Sequence, residues 1–80
     1  MREKMAQTYK VRAGWDDYEF TSDKAAPFVV IVWEDAKPPA FYPYETEQAA
    51  RRGLSYRLAQ LDKRGAAGYG NYYDAYQEGN

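Results

Sequence analysis

Phe28-Val29-Val30-Ile31-Val32-Trp33 is the longest apolar run of the chain, and the fold turns on it. It is β-branched and aromatic, follows Pro27 and stops at Glu34-Asp35. Those are strand formers with strand punctuation. The run does not alternate polar with apolar residues, so both of its sides require cover. Its six residues fall far short of the roughly 20 that a membrane span needs, so no membrane association is expected.

Upstream of the run, Tyr9, Val11 and Ala13 alternate with Thr8, Lys10 and Arg12, the pattern of a half-buried strand. Gly14 to Asp17 supplies turn chemistry. Tyr18 to Thr21 alternates again, which predicts a hairpin. Asp23 to Pro27 connects it to the apolar run, and Pro27 cannot donate to a ladder. Downstream, Asp35-Ala36-Lys37-Pro38-Pro39 reads as a loop, and Ala40-Phe41-Tyr42 as a short extended piece stopped by Pro43.

Thr46 to Arg64 reads as a helix. Thr46 is placed as N-cap between Glu45 and Glu47, and Gly65 as the residue after the C-cap. Lys63 and Arg64 complement the negative end of the helix dipole. Ala50, Leu54, Leu58 and Leu61 form one apolar stripe. Gly53 beside it suggests close approach to the sheet. After Gly65 the composition turns to Gly, Ala, Asn and Tyr. The expected fold is α+β: a small antiparallel sheet of about three strands packed against one long helix. It forms a single β-β-β-α domain over residues 1–65, followed by an aromatic, Gly/Tyr-rich C-terminal tail over 66–80.

Leu, Ile, Val and Phe number 11 of 80 residues, a thin core, whereas fourteen aromatics and a net charge of −1 oppose disorder. The chain has no Cys and no His, which excludes disulfides, thiolate metal sites and Cys- or His-based catalysis. Met1 to Met5 has no apolar segment of the secretory type, so no signal peptide is expected. Charge is blocked: residues 1–13 sum to +3, 14–47 to −6, 48–65 to +4 and 66–80 to −2. Blocks of one sign are what another molecule feels within a Debye length of about 10 Å.

Several constellations invite a chemical reading. Asp16, Asp17 and Glu19 have the residue types of a cation or acid–base site, but a turn and a strand do not by themselves converge oxygens, and a solvated turn is the simpler reading. The Gly65-to-Gly70 loop follows a helix instead of opening one, so it is not a phosphate cradle. Ser22 with Lys24 lacks a geometry that puts the base on the hydroxyl. The expectation is no enzymatic role, no cofactor and no metal.

Binding is better supported. Asp16, Asp17, Glu19, Asp23, Glu34 and Asp35 supply an acidic surface suited to basic grooves. Arg51, Arg52 and Arg57 supply a basic helix face suited to acidic surface or phosphate. Trp15, Phe41, Tyr42, Tyr72, Tyr73 and Tyr76 are the aromatic anchor candidates. Tyr69, Tyr72, Tyr73 and Tyr76 share helical spacing, and their segment keeps several readings. It folds back onto the open face of the sheet, stays disordered, or orders on a partner; base stacking is opposed by its own acidity. One helix covers one face of the apolar run, so the other is expected to meet the tail, a second copy in a homodimer, or a protein partner.

The hairpin (Tyr9-Lys10-Val11-Arg12 and Tyr18-Glu19-Phe20-Thr21), the buried strand Phe28–Trp33 and the helix with Glu47-Gln48-Ala49-Ala50-Arg51-Arg52 together resemble small proteins of bacteriophages and mobile elements, anti-CRISPR proteins among them. The resemblance is one of architecture and spans residues 8–65. It implies an inhibitor in the bacterial host cytoplasm that occludes a nucleic-acid-binding surface of a host protein complex, such as a CRISPR-type effector. The alternative is a small nucleic-acid-binding module using Arg51, Arg52, Arg57 and Lys10. A near-neutral net charge and the absence of an RNP-type motif make nucleic acid the lesser partner.

Overall fold

In the computed structural model, which describes residues 6–77, the chain forms β1 (Gln7–Ala13), β2 (Asp16–Ser22), β3 (Phe28–Glu34), β4 (Ala40–Tyr44), α1 (Glu47–Arg64) and β5 (Gly68–Tyr76). Arg2, Glu3, Lys4 and Glu78, counted in the terminal charge blocks, lie outside the described residues. The class is α+β, but the sheet has five antiparallel strands in the order β2-β1-β5-β3-β4, more than the three expected. β5 makes the largest difference. The segment that composition sets apart as a tail is the central strand, paired with β3 from Phe28–Asp74 to Glu34–Gly68 and with β1 at Lys10–Tyr76 and Val11–Ala75. β4 also runs further than its sequence suggests, through Pro43 to Tyr44. It lies at the end of the strand order, where a residue without an N–H is tolerated.

Alternation in β3 sends its side chains to two cores. Val29 and Ile31 join Tyr9, Val11, Ala13, Phe20 and Ala26. Val30 and Val32 join Ala50 and Leu61 of α1. The second side of β3 is therefore covered by the β1–β2 hairpin, which curls over it, and Val29, Val30 and Ile31 are fully buried within one chain. Rings close the curl between the two outer strands: Phe20 stacks on Phe41 at 5.9 Å, and Tyr18 meets Phe41 edge-on at 5.7 Å. Tyr9 stacks on Phe20 at 5.4 Å, and its hydroxyl accepts the Ala26 N–H at 3.1 Å, fixing the β2–β3 connection. Size-exclusion with light scattering at micromolar concentration is expected to return the mass of one chain. A mass of two would show that a face other than that of β3 pairs.

The helix is capped as its sequence indicates. Thr46 Oγ1 accepts the Ala49 N–H at 3.1 Å. Gly65, at φ 67°, donates its N–H to Asp62 O at 3.1 Å, and the Ala66 N–H donates to Leu61 O at 2.9 Å, completing a Schellman stop. Gly53 makes room for Tyr44 of β4, whose hydroxyl occupies the space a Cβ would fill. At the sheet's other turn, Ala36 takes φ 64° where the Lys37 N–H bonds to Glu34 O at 3.1 Å. Left-handed backbone costs an L-residue with a Cβ more than glycine. Ala36→Gly is therefore expected to raise stability by about 0.5–1 kcal/mol in urea unfolding.

Candidate functional site

The hairpin tip is built from two residues. Gly14 takes φ 68° and Trp15 does not take a positive φ, the pattern of a type II′ turn that matches strand twist. Directly below, the register sets Arg12 opposite Asp17 and Lys10 opposite Glu19. Arg12 Nε donates to Asp17 Oδ1 at 2.7 Å and Nη2 donates to Oδ2 at 3.1 Å, a two-pronged pair. Lys10 Nζ lies 3.6 Å from Glu19 Oε2. The tip thus stands on a braced stem, and Trp15 projects from it fully exposed.

The Arg12 hydrogen bond holds the Asp17 carboxyl below its ordinary value, and Asp17 in turn raises Arg12. A carboxylate depressed in the folded state adds stability above its unfolded pKa and loses it as pH falls through the folded one. The pair is solvent-exposed, so its weight is small. A carbon-detected NMR titration is expected to show Asp17 ionising below free aspartate, and returning toward the ordinary value in Arg12→Gln.

β3 runs parallel to β1 with β5 antiparallel between them, so the end of β3 and the start of β5 lie at the same end of the sheet as Trp15. There Trp33 stacks on Tyr69 at 4.9 Å, and Tyr73 meets Trp33 edge-on at 6.3 Å. Tyr69 remains 62% exposed. This end therefore presents two indoles and a phenol ring on or beside rigid strands.

The acidic candidates fall in three places. Asp16, exposed beside Trp15, and Asp17 and Glu19 belong to the hairpin. Asp23 lies in the β2–β3 connection. Glu34 closes β3, where Arg64 Nη1 donates to its Oε2 at 3.1 Å and Lys37 Nζ lies at 3.5 Å. That hydrogen bond from Arg64 keeps the Glu34 carboxyl below its ordinary value. Asp35 is exposed in the adjacent turn, and its N–H donates to Ala67 O at 3.0 Å. Asp17, Glu19 and Glu34 are thus matched by cations, while Asp16 and Asp35 flank the aromatic end. Among the described residues no group of Asp and Glu could hold a metal ion.

The basic candidates separate. Arg51 and Arg52 line a shallow cleft of about 700 Å³ on the outer face of α1 with Glu47, Gln48 and Ser55. Arg57 turns inward, its guanidinium 3.7 Å from the Tyr42 ring centroid and its Nε buried without an acceptor. Its place was legible: seven residues after Ala50 is two turns, so the two share a face. Leu58, assigned to the apolar stripe, is 37% exposed instead.

Of the aromatic candidates, Phe41 and Tyr42 are half-buried under Phe20 and Arg57. Tyr72 donates its hydroxyl to Glu47 Oε2 at 2.7 Å, and this bond raises its pKa. Tyr73 is raised by burial. Tyr76 is half exposed, and Trp15 stands entirely in water. Tyr69 was not among the site candidates, yet it is more exposed than Tyr76. Its signal was strand alternation with Tyr73, hidden under the helical spacing of the four tyrosines.

No helix among the described residues is long and apolar enough to cross a membrane. No protein-family model, curated protein or solved structure matches the chain.

Proposed function

We propose that the chain is a non-enzymatic binding protein that docks on another protein through the aromatic end of its sheet, with Trp15 as the anchor. The carrying observation is the fully exposed indole on a braced two-residue turn. Tryptophan leads the residues that concentrate binding energy, and a rigid carrier loses little entropy on docking. Asp16 beside it and Asp35 after β3, at the same end of the sheet, favour a basic surface, which supports the inhibitor reading: occupation of a groove on a host complex that otherwise holds nucleic acid. The nucleic-acid module is supported only by Arg51 and Arg52, because Arg57 is engaged with Tyr42 and Lys10 with Glu19.

A photo-crosslinking benzoylphenylalanine at position 15, with position 56 on the exposed helix face as control, tests the reading in bacterial extract. The expected result is one dominant protein adduct from position 15, with nucleic-acid binding by that partner blocked. Equal adducts from both positions would refute it. Direct, salt-sensitive binding of DNA or RNA, lost in Arg51→Ala with Arg52→Ala, would put the nucleic-acid module in its place.

A further inference from the structure

β1 and β5 pair only at Lys10–Tyr76 and Val11–Ala75, whereas β3 holds β5 along its whole run from Gly68 to Asp74. Beyond Arg12, whose N–H the Val11–Ala75 pairing sets on the Asp74 carbonyl, the two strands part, and Gly68 to Tyr73 have no ladder partner on the β1 side. Alternation decides which backbone groups face the gap. The Ala75 N–H points toward β3, donating to Pro27 O at 2.8 Å. The N–H and C=O groups of Gly70, Tyr72 and Asp74 therefore point away from β3. The Tyr72 N–H illustrates this, since at 2.9 Å it is taken by the side-chain Oδ1 of its own neighbour, Asn71.

The parting strands leave a cleft of about 590 Å³ lined by Arg12, Glu47, Tyr72, Tyr73, Asp74 and Tyr76. Tyr73 belongs to one side of β5 and Tyr72 to the other, so the cleft opens onto the strand's edge itself. Such an edge is a template for an added strand. Its charge selects the occupant. Glu47 and Asp74 are acidic, and the charge of Arg12 is already met by Asp17. A second copy is a poor fit, because its outer strands offer either the acids of β2 or Pro43 of β4, which lacks an N–H.

We propose that the gap between β1 and β5 accepts an extended, lysine- or arginine-bearing segment of a partner protein as an additional β-strand, bonded to Gly70 and Tyr72. This rests on the protein-docking reading and specifies its partner: the added strand lies beside Trp15, and basic segments are common on proteins that bind nucleic acid.

The test is selection of a displayed random-peptide library against the folded chain, then titration of the enriched peptides. Enriched peptides are expected to carry basic residues and no central proline. Asn71→Ala frees the Tyr72 donor and is expected to tighten binding about fivefold. Tyr72→Pro removes a donor from the edge and is expected to weaken binding at least about tenfold beyond the side-chain control Tyr72→Ala. If the proline variant does not fold, Asn71→Ala decides by itself. No enriched peptide, peptides without basic residues, or an affinity unchanged by Asn71→Ala would overturn strand addition. Adducts that persist from position 15 in any of those cases would leave docking through Trp15 standing.

Discussion

Ile31→Ala is expected to lower stability by about 2–5 kcal/mol. Ile31 is fully buried in the centre of β3 and packs in the core shared with the hairpin. A domain of 80 residues has roughly 4–12 kcal/mol in all, so the variant gives up a large share of its stability. The cost is high because the cavity opens where both core layers lean on one strand, and the hairpin cannot follow inward without breaking its ladder to β5. Ile31→Val removes one methylene and is expected to cost only about 0.5–1.5 kcal/mol. Urea unfolding of both variants checks the pair. Equal costs would mean that the hairpin side of β3 repacks freely and that the curl is not tightly closed.

Trp15→Ala is expected to do the opposite: to leave folding alone and remove binding. The side chain is fully exposed, so its truncation should move stability by no more than about 0.5 kcal/mol. The loss of an anchor indole at an interface centre is worth about 2 kcal/mol or more, roughly a 30-fold weaker complex. Calorimetric titration against the partner captured from position 15 measures the second quantity, and thermal unfolding the first. An unchanged affinity would remove Trp15 from the interface.

The local elements were readable because local chemistry decides them. Thr46 and Gly65 mark the helix by their capping preferences, and both cap as expected. Gly14 marks the hairpin turn, and once that turn is two residues long, Arg12 must face Asp17 and Lys10 must face Glu19. The acidic stretch was therefore partly neutralised by its own hairpin, a consequence of register that composition does not display. β5 was hidden for a different reason. Its tyrosines fit a period of 3.6 and divide two to each side of a strand, and its glycines argue against either element taken alone. Gly70 is accommodated only through its partners: a Cβ there would meet the Ile31 carbonyl oxygen at 2.9 Å, with Leu54 of α1 at 3.5 Å. Long-range pairing, not propensity, made this segment a strand.

The central position of β5 also orders events during synthesis. It is the last of the six elements to be made, yet among the described strands it alone pairs with both the hairpin and β3. Until it emerges, the growing polypeptide has two half-sheets with bare margins and no strand between them, a state open to mispairing with other nascent chains. Trimming a few residues from β5 should therefore not shorten a dispensable appendage but take away the strand that completes the sheet.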